Sequence, residues 1–299
     1  MNEEYIKRIN LILTYIDTNL SDDLSLETIA KIGFYSPFHL HRLFKSITNE
    51  TLNSYVTRKR IEKAASILMH KKEVSISELV LQLGFSSNSS FTRAFKKYYQ
   101  QSPSDFRKSH RNSFSKKGQM NSKKGKENKV DEEYICTQDN FKQWIQMNAT
   151  IEIKELPAMN WAFITQIGPN GLDAAYGRLF QWAIPKGLVD ENLKMGRIFH
   201  DSFKITEPDK VRMSACLLLQ KNVAVSGEIG LTTTPKGKHI VGHFIIAPMG
   251  FSTSWKALFH WMNENGYKKA DQNPFEIIYN NYNEHPEKKC IVDLCIPIE

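Results

Sequence analysis

Between Ser36 and Lys45 the chain reads SPFHLHRLFK, which places an aromatic ring (Phe38), an imidazole (His41), a guanidinium (Arg42) and an ammonium (Lys45) within ten residues. Leu40, Leu43, Phe44 and Ile47 recur among them at helical spacing, so the polar groups share the front of a helix whose back is apolar. Ser36 suits the N-cap of that helix and Pro37 its first turn. Such a front carries donors for base edges and phosphates, and a helix of this size fits a major groove. The pattern returns 51 positions on: Gly33-Phe34 becomes Gly84-Phe85, Ser36 becomes Ser87, and Leu40, Arg42, Phe44 and Lys45 become Phe91, Arg93, Phe95 and Lys96. The second front offers Asn88, Ser89, Ser90, Thr92, Arg93 and Lys96. The bland alternative, a basic surface helix, suits one copy better than two. Within the first copy, His39 reads as a packing residue.

A second kind of chemistry sits near the end of the chain. Glu276 lies between Phe275 and Ile277-Ile278 in an otherwise apolar, strand-like run. A buried carboxylate needs a partner, because unpaired burial is costly. A cationic ligand held among aromatic rings supplies one; an edge salt bridge to Lys or Arg, with Glu276 turned away from any cleft, is the other reading. Strand alternation puts Glu276 and Ile278 on one face and Phe275, Ile277 and Tyr279 on the other. No HExxH, GxSxG, Walker A or GxGxxG motif is present. His239 and His243, on a strand, would stand ~13 Å apart, too far to share an ion. Cys136, Cys216, Cys290 and Cys295 show no CxxC spacing and read as packed thiols. We therefore expect no catalytic residues, no metal and no cofactor.

The elements that must position these groups follow from periodicity. Tyr5 to about Asn19 reads as a helix, and LSLETIAKIG (Leu24 to Gly33) and ISELVLQLG (Ile76 to Gly84) read as the short helices preceding each basic one. Asn53 to about His70 is a long helix with Arg58, Lys59 and Lys63 expected outward; Arg58, like Lys45, Lys96 and Lys97, is a phosphate candidate. Its stiffness would fix the spacing of the two units, which matters because successive major grooves lie ~34 Å apart. Pro103 opens a last short helix. Ser109 to Val130 is Lys/Ser/Asn/Gly-rich and too apolar-poor to offset chain entropy, so a tether is expected there. Net charge is +5 over residues 1–110, +6 over 111–130 and −3 over 131–299, a segregation that favours a phosphate-rich partner for the front half.

From about Thr150 strand-like runs appear: TIEIKEL, WAFITQI, RMSACLLL, HIVGHFII, FEIIY and CIVDLCIPI, with helical runs AAYGRLFQWA and STSWKALFHWMNEN between them. An offset of 79 overlays Ile167-Gly168-Pro169 on Ile246-Ala247-Pro248, Leu179, Phe180 and Trp182 on Leu258, Phe259 and Trp261, Tyr176 on Trp255, and Ile198 on Ile277. Two α+β halves meeting about a pseudo-two-fold, with a ligand cleft at the seam, are expected. No apolar run approaches a membrane span, and the N-terminus MNEEYIKRIN does not resemble a signal peptide.

Residues 5–110, through SPFHLHRLFK and GFSSNSSFTRAFKKYYQQSPSDFR (Gly84 to Arg107), resemble the DNA-binding domain of AraC/XylS-type transcription regulators. The resemblance implies seven helices, two helix-turn-helix units and base readers at Phe38, His41 and Arg42 and at Asn88, Ser89 and Arg93. Asn49 and Gln100 stand where that family usually has glycine, and Val80 or Leu81 where it has alanine. Residues 150–299 resemble the GyrI-like small-molecule-binding domain, through Leu156 to Pro169, the LFxW helices, NPFEIIY (Asn273 to Tyr279) and the terminal VDLCIPI. That resemblance implies an aromatic-lined cleft for lipophilic, often cationic compounds, with Glu276 as its acidic group. Tyr176, Trp255, Trp161, Phe163 and Tyr279 are the further lining candidates. Trp182 and Trp261 sit at core spacing.

The expectation is an all-α N-terminal domain with two helix-turn-helix units (1–110), a basic flexible linker (111–148), and an α+β domain built from a duplicated strand-helix-strand module with a central cleft (149–299). The expected function is sequence-specific transcription regulation in the cytoplasm, with multidrug-type effector sensing. Its partners would be double-stranded promoter DNA, a small-molecule effector and RNA polymerase, with monomer or homodimer left open. The alternatives are a constitutive DNA binder whose rear domain sequesters toxic compounds or binds a protein, and a GyrI-like hydrolase.

Overall fold

The computed structural model describes residues 3–70, 73–111 and 140–299, apart from 169, 204, 222 and 226. It divides into two compact units, a helical one at the front and a sheet at the back. Most of the expected linker, residues 112–139, lies outside the described residues, as do Pro169 and Cys136; residues 140–148 are helical.

The front unit holds α1 (Glu3–Thr18), α2 (Leu26–Ile32), α3 (Pro37–Thr48), α4 (Leu52–His70), α5 (Ile76–Gln82), α6 (Asn88–Tyr99) and α7 (Pro103–Arg111). Serine N-caps start four of these: Ser25, Ser36, Ser75 and Ser87 each accept a backbone N–H of the first turn. Two apolar cores form. Ile9, Ile12, Ile16, Ile29, Leu40 and Phe44 make the first; Leu79, Phe91, Phe95 and Phe106 anchor the second. α4 feeds both, with Leu52, Tyr55 and Val56 in one and Ile61, Ala64, Ala65 and Leu68 in the other. A helix packed on both sides has little outward face. Arg58 and Lys59, expected to point at solvent, are buried instead. Arg58 is held between Glu50 and Glu62 over the Tyr55 ring, and Lys59 Nζ lies 3.3 Å from Asp17.

Arg60, on the same helix, ties the two helix-turn-helix units together. Its guanidinium donates to the carbonyls of Leu20, Asp22 and Gly84, each at 2.8 Å. Gly84 has φ +65°, and a Cβ there would come within 2.6 Å of Arg60 Nη2 and 2.8 Å of Ser21 O. The glycine at this turn is needed for both conformation and room. The left-handed residue of the first turn is Phe34 (φ 57°), not Gly33. The closing bonds agree: Tyr35 N–H donates to Ala30 O and Phe85 N–H to Val80 O. Thus Gly84 corresponds to Phe34, one place off the constant 51 register, and Ser86 is the extra residue that restores the register at Ser36 and Ser87. Asn49 (φ 59°) and Gln100 (φ 56°) close α3 and α6 in the left-handed conformation, which accounts for glycine being usual at these positions.

The rear unit is one eight-stranded antiparallel sheet in the order β1-β6-β8-β7-β3-β4-β2-β5. The strands are β1 (Ala149–Leu156), β2 (Met159–Ile167), β3 (Met195–Phe199), β4 (Arg212–Leu218), β5 (Gly230–Thr234), β6 (Gly237–Ile246), β7 (Phe275–Ile278) and β8 (Cys290–Pro297). β3 and β5 add to the strands read from the sequence. Three helices accompany them: α8, described over residues 140–148, α9 (Leu172–Ala183) and α10 (Phe251–Glu264). α9 packs Leu179 and Ala183 on Ala162, Ile164, Ala215 and Leu217, and α10 packs Leu258 and Met262 on Ile240, Phe244, Val292 and Leu294. The register joins these patches into rows such as Ala162–Leu217–Met195–Ile278–Val292–Phe244, so both helices lie on one face. The opposite face carries Trp161, Ile198, Cys216, Val241, Phe275, Ile277 and Cys295. The three described cysteines are buried free thiols.

Candidate functional site

On α3, Leu40, Phe44 and Thr48 are buried, and Ser36, Pro37, Phe38, His41, Arg42 and Lys45 are exposed. Phe38 is 73% exposed, and the Arg42 guanidinium lies 5.8 Å from its ring centre, so ring and cation present one outward group. His39 packs edge-on against Tyr5 and Tyr35, a structural role. On α6, Phe91 and Phe95 are buried, while Asn88, Ser89, Arg93 and Lys96 are exposed and Ser90 and Thr92 are half-buried. The Ser90 hydroxyl is engaged at its own helix end: it accepts from Ser87 N–H and donates to Ser87 O at 2.8 Å. Asn88 Nδ2 donates to Ser77 Oγ at 3.2 Å. Two helices thus expose guanidinium, ammonium, amide and hydroxyl groups over apolar backs. This is the chemistry of phosphate binding and base-edge reading.

In the rear unit Glu276 is 1% exposed and faces the helices. Register pairs it directly with Arg197 on β3. The Arg197 Nε donates to Glu276 Oε2, and Trp255 Nε1 donates to Glu276 Oε1 at 2.7 Å. The Arg197 guanidinium lies 4.4 Å from the Phe251 ring centre and 5.9 Å from that of Phe199, and Phe199 packs edge-on against Trp255. Tyr176 on α9 donates to Gly196 O at 2.7 Å, one residue from Arg197. Burial pushes the Glu276 carboxyl up, against the pull of Arg197 and Trp255. Of the residues picked from the sequence, Glu276 and Trp255 are in contact and Tyr176 is nearby. Arg197, Phe199 and Phe251 were missed.

The other three depart from expectation. Trp161 is fully buried on the opposite face, bonded through Nε1 to Thr234 Oγ1, because β2 alternation turns it away from the helices. Phe163 shares that face and covers Gly230. Tyr279 donates to Asp293 Oδ2 at 2.6 Å, under the Lys194 ammonium. It lines a surface cavity of about 670 Å³ with Asp190, Glu191, Asn192, Leu193, Lys194 and Gln220. That cavity is polar and built from loops, and it contains none of the groups around Glu276. His239 and His243 bond separately, to Gly237 O and Asp293. Among the described residues no cluster of three or more His, Cys, Asp or Glu could hold a metal, and no helix is long and apolar enough to cross a membrane.

The two helix-turn-helix units and the helix-faced sheet define a DNA-binding transcription regulator joined to a small-molecule-binding domain. Residues 29–109 match a helix-turn-helix domain family, and residues 149–299 match the GyrI-like small molecule binding domain. The chain is 40% identical over 101 residues to the probable transcription factor PqrA of Proteus vulgaris, a span of 33% of this chain and 82% of PqrA. It is 31% identical over 101 residues to the regulatory protein SoxS of Escherichia coli strain K12, covering 34% of this chain and 94% of SoxS. A solved structure of the EcmrR C-terminal domain covers 50% of this chain and 98% of that one, at 16% identity and a TM-score of 0.42. The chain belongs to the AraC/XylS family of transcription regulators and carries a GyrI-like domain.

Proposed function

We propose that this is a one-component regulator in which residues 1–110 read promoter DNA, residues 111–139 link, and residues 149–299, with α8 packed on them through Trp144, bind a small hydrophobic cation. The observation carrying the DNA half is the pair Arg42 and Arg93, exposed at equivalent positions of α3 and α6. Phe38 and His41 on one helix, and Asn88 and Ser89 on the other, complete two reading sets. Lys45 and Lys96 lie one turn on and serve phosphates.

For the rear half, strand order supports a duplicated module. Exchanging β1 with β5, β2 with β6, β3 with β7 and β4 with β8 converts the order into its own reverse. The proposed two-fold then passes between β3 and β7, where Arg197 faces Glu276, residues 79 apart. The cleft of this reading lies on that axis between α9 and α10, with Trp255 and Glu276 inside it and Tyr176 at its side. Effector binding there shifts the population of DNA-binding states by its difference in affinity for them.

The test begins with selection of bound duplexes from a random pool, followed by gel shifts with Arg42→Ala and Arg93→Ala. Each should weaken the selected site by about 1–3 kcal/mol if bidentate to a base, and relax the preference at one position. Equal binding of the selected site by wild type and both variants would sink the reading.

A further inference from the structure

The carboxylate proposed to attract a cationic effector already has a cation. Glu276 is buried, and both of its oxygens are engaged, one by Arg197 and one by Trp255. Arg197 is set as a bound organic cation would be. It has a carboxylate on one side, an aromatic face 4.4 Å from its centre in Phe251, and the Phe199 and Trp255 rings completing the wall. These are the parts of a cation–π box with a counter-ion. The box is central on the helix-facing side, in the register row Ile164–Ala215–Arg197–Glu276–Leu294–Gly242. Neither described cavity reaches it.

We propose that Arg197 is a built-in surrogate ligand. It occupies the effector's place at Glu276, and the effector is a flat or bulky monocation, with delocalised or shielded charge, that displaces it. This rests on the reading of residues 149–299 as a cation sensor and deepens it. A poorly hydrated cation keeps the Coulomb and ring contacts that Arg197 gives up. A strongly hydrated one such as Na⁺ or a primary ammonium regains less than it loses in leaving water. The Arg197 side chain is 19% exposed where that of Glu276 is fully covered, so of the two groups the guanidinium is the one placed to move outward. Arg197 thereby sets both threshold and selectivity. Cations too weak to replace it leave the box closed, and neutral or anionic compounds gain nothing from Glu276.

The experiment uses the full chain and two ions matched in size and shape, tetraphenylphosphonium and tetraphenylborate. Binding is followed by tryptophan fluorescence and calorimetry. Arg197→Ala should bind the phosphonium at least tenfold more tightly than wild type, with no gain for the borate. Glu276→Gln should lose phosphonium binding. Arg197→Ala leaves Glu276 buried alone, so Arg197→Met combined with Glu276→Gln serves as a neutral, similarly sized control that should fold and ignore both ions. Equal phosphonium affinity in wild type and Arg197→Ala, with loss in Glu276→Gln, overturns the surrogate role and leaves the cation-sensor reading standing. Phosphonium binding by none of these proteins overturns both.

Discussion

Replacing Arg60 by Met tests whether the two helix-turn-helix units act as one rigid body. The stem of the side chain is kept, so the change removes three hydrogen bonds of 2.8 Å from one guanidinium, to Leu20 and Asp22 before α2 and to Gly84 after α5. A hydrogen bond to a charged group contributes up to about 1.5–3 kcal/mol, but these carbonyls are only partly buried and recover water when the guanidinium leaves. About 1 kcal/mol for each gives about 3 kcal/mol in all. With a urea slope of about 1–3 kcal/mol per molar, the unfolding midpoint of the helical signal should fall by about 1–3 M. The functional consequence is separable from stability. Below the unfolding transition, affinity for a two-groove site should drop at least tenfold, because the second helix then docks from a looser tether. Affinity for a single half-site should stay within twofold of wild type. A midpoint shift under about 0.5 M, or equal losses on full and half sites, would refute the argument.

Gln100 ends α6 at φ 56°; its backbone N–H donates to Lys96 O at 2.9 Å, a bond that glycine keeps, and its side chain adds an exposed bond to Lys97 O. A left-handed L-residue costs roughly 1–2 kcal/mol and glycine's unfolded-state freedom returns part of that, so Gln100→Gly should stabilise the front unit by about 0.5–1 kcal/mol in urea titration, and Gln100→Ala should not. His239 is buried beside Phe275; its Nδ1 is bonded to Gly237 O, and its Nε2 has no partner among the described residues. Burial holds its folded pKa below the ordinary 6.5, against the pull of the Gly237 bond. The unfolded chain therefore binds the extra proton first as pH falls. The contribution is fully present above about 6.5 and is lost on acidification toward the folded value. His260 shifts the same way, so the measurement is the difference between wild type and His239→Leu: the variant's stability should depend less on pH between 6.5 and 5, and parallel curves would count against the assignment.

The front unit was legible because its determinants are local. Ser36 and Ser87 cap the helices they precede, Leu40, Phe44, Phe91 and Phe95 of the apolar stripes are buried, and the polar fronts are exposed apart from the half-buried Ser90 and Thr92. The misreadings come from neighbours that periodicity does not contain. Arg58 and Lys59 lie on what an isolated helix would turn to water, yet α4 is enclosed by both cores and meets Glu50, Glu62 and Asp17. The first turn slipped by one residue because two glycines were matched by identity, whereas the fold puts Phe34 in the conformation that Gly84 adopts in the second. An exposed aromatic residue at positive φ has no signature in composition.

In the rear unit, long apolar strands announced themselves, and β3 and β5 did not. GLTTT has no alternation of apolar and polar residues, and MGRIF is five residues with an arginine at its centre. That arginine is the instructive case. Taken with its neighbours alone, Arg197 argues against a buried strand; taken with Glu276, it completes one. The signal was present in the 79-residue offset that overlays Ile198 on Ile277, since the same offset sets Arg197 against Glu276, and the register pairs the two across β3 and β7. A charge that looks unaffordable in one segment is stabilised by its counterpart far along the chain, so the two must be read together. The sheet fold follows from the apolar residues on either side, which would close β3 against β7 with many side chains in place of this pair. What the pair adds is a desolvated charge held by a second charge and three rings, and groups so held are weak contributors to stability compared with apolar residues of the same volume. The proposed cation site gives the pair a role at the centre of the sheet that its contribution to stability does not.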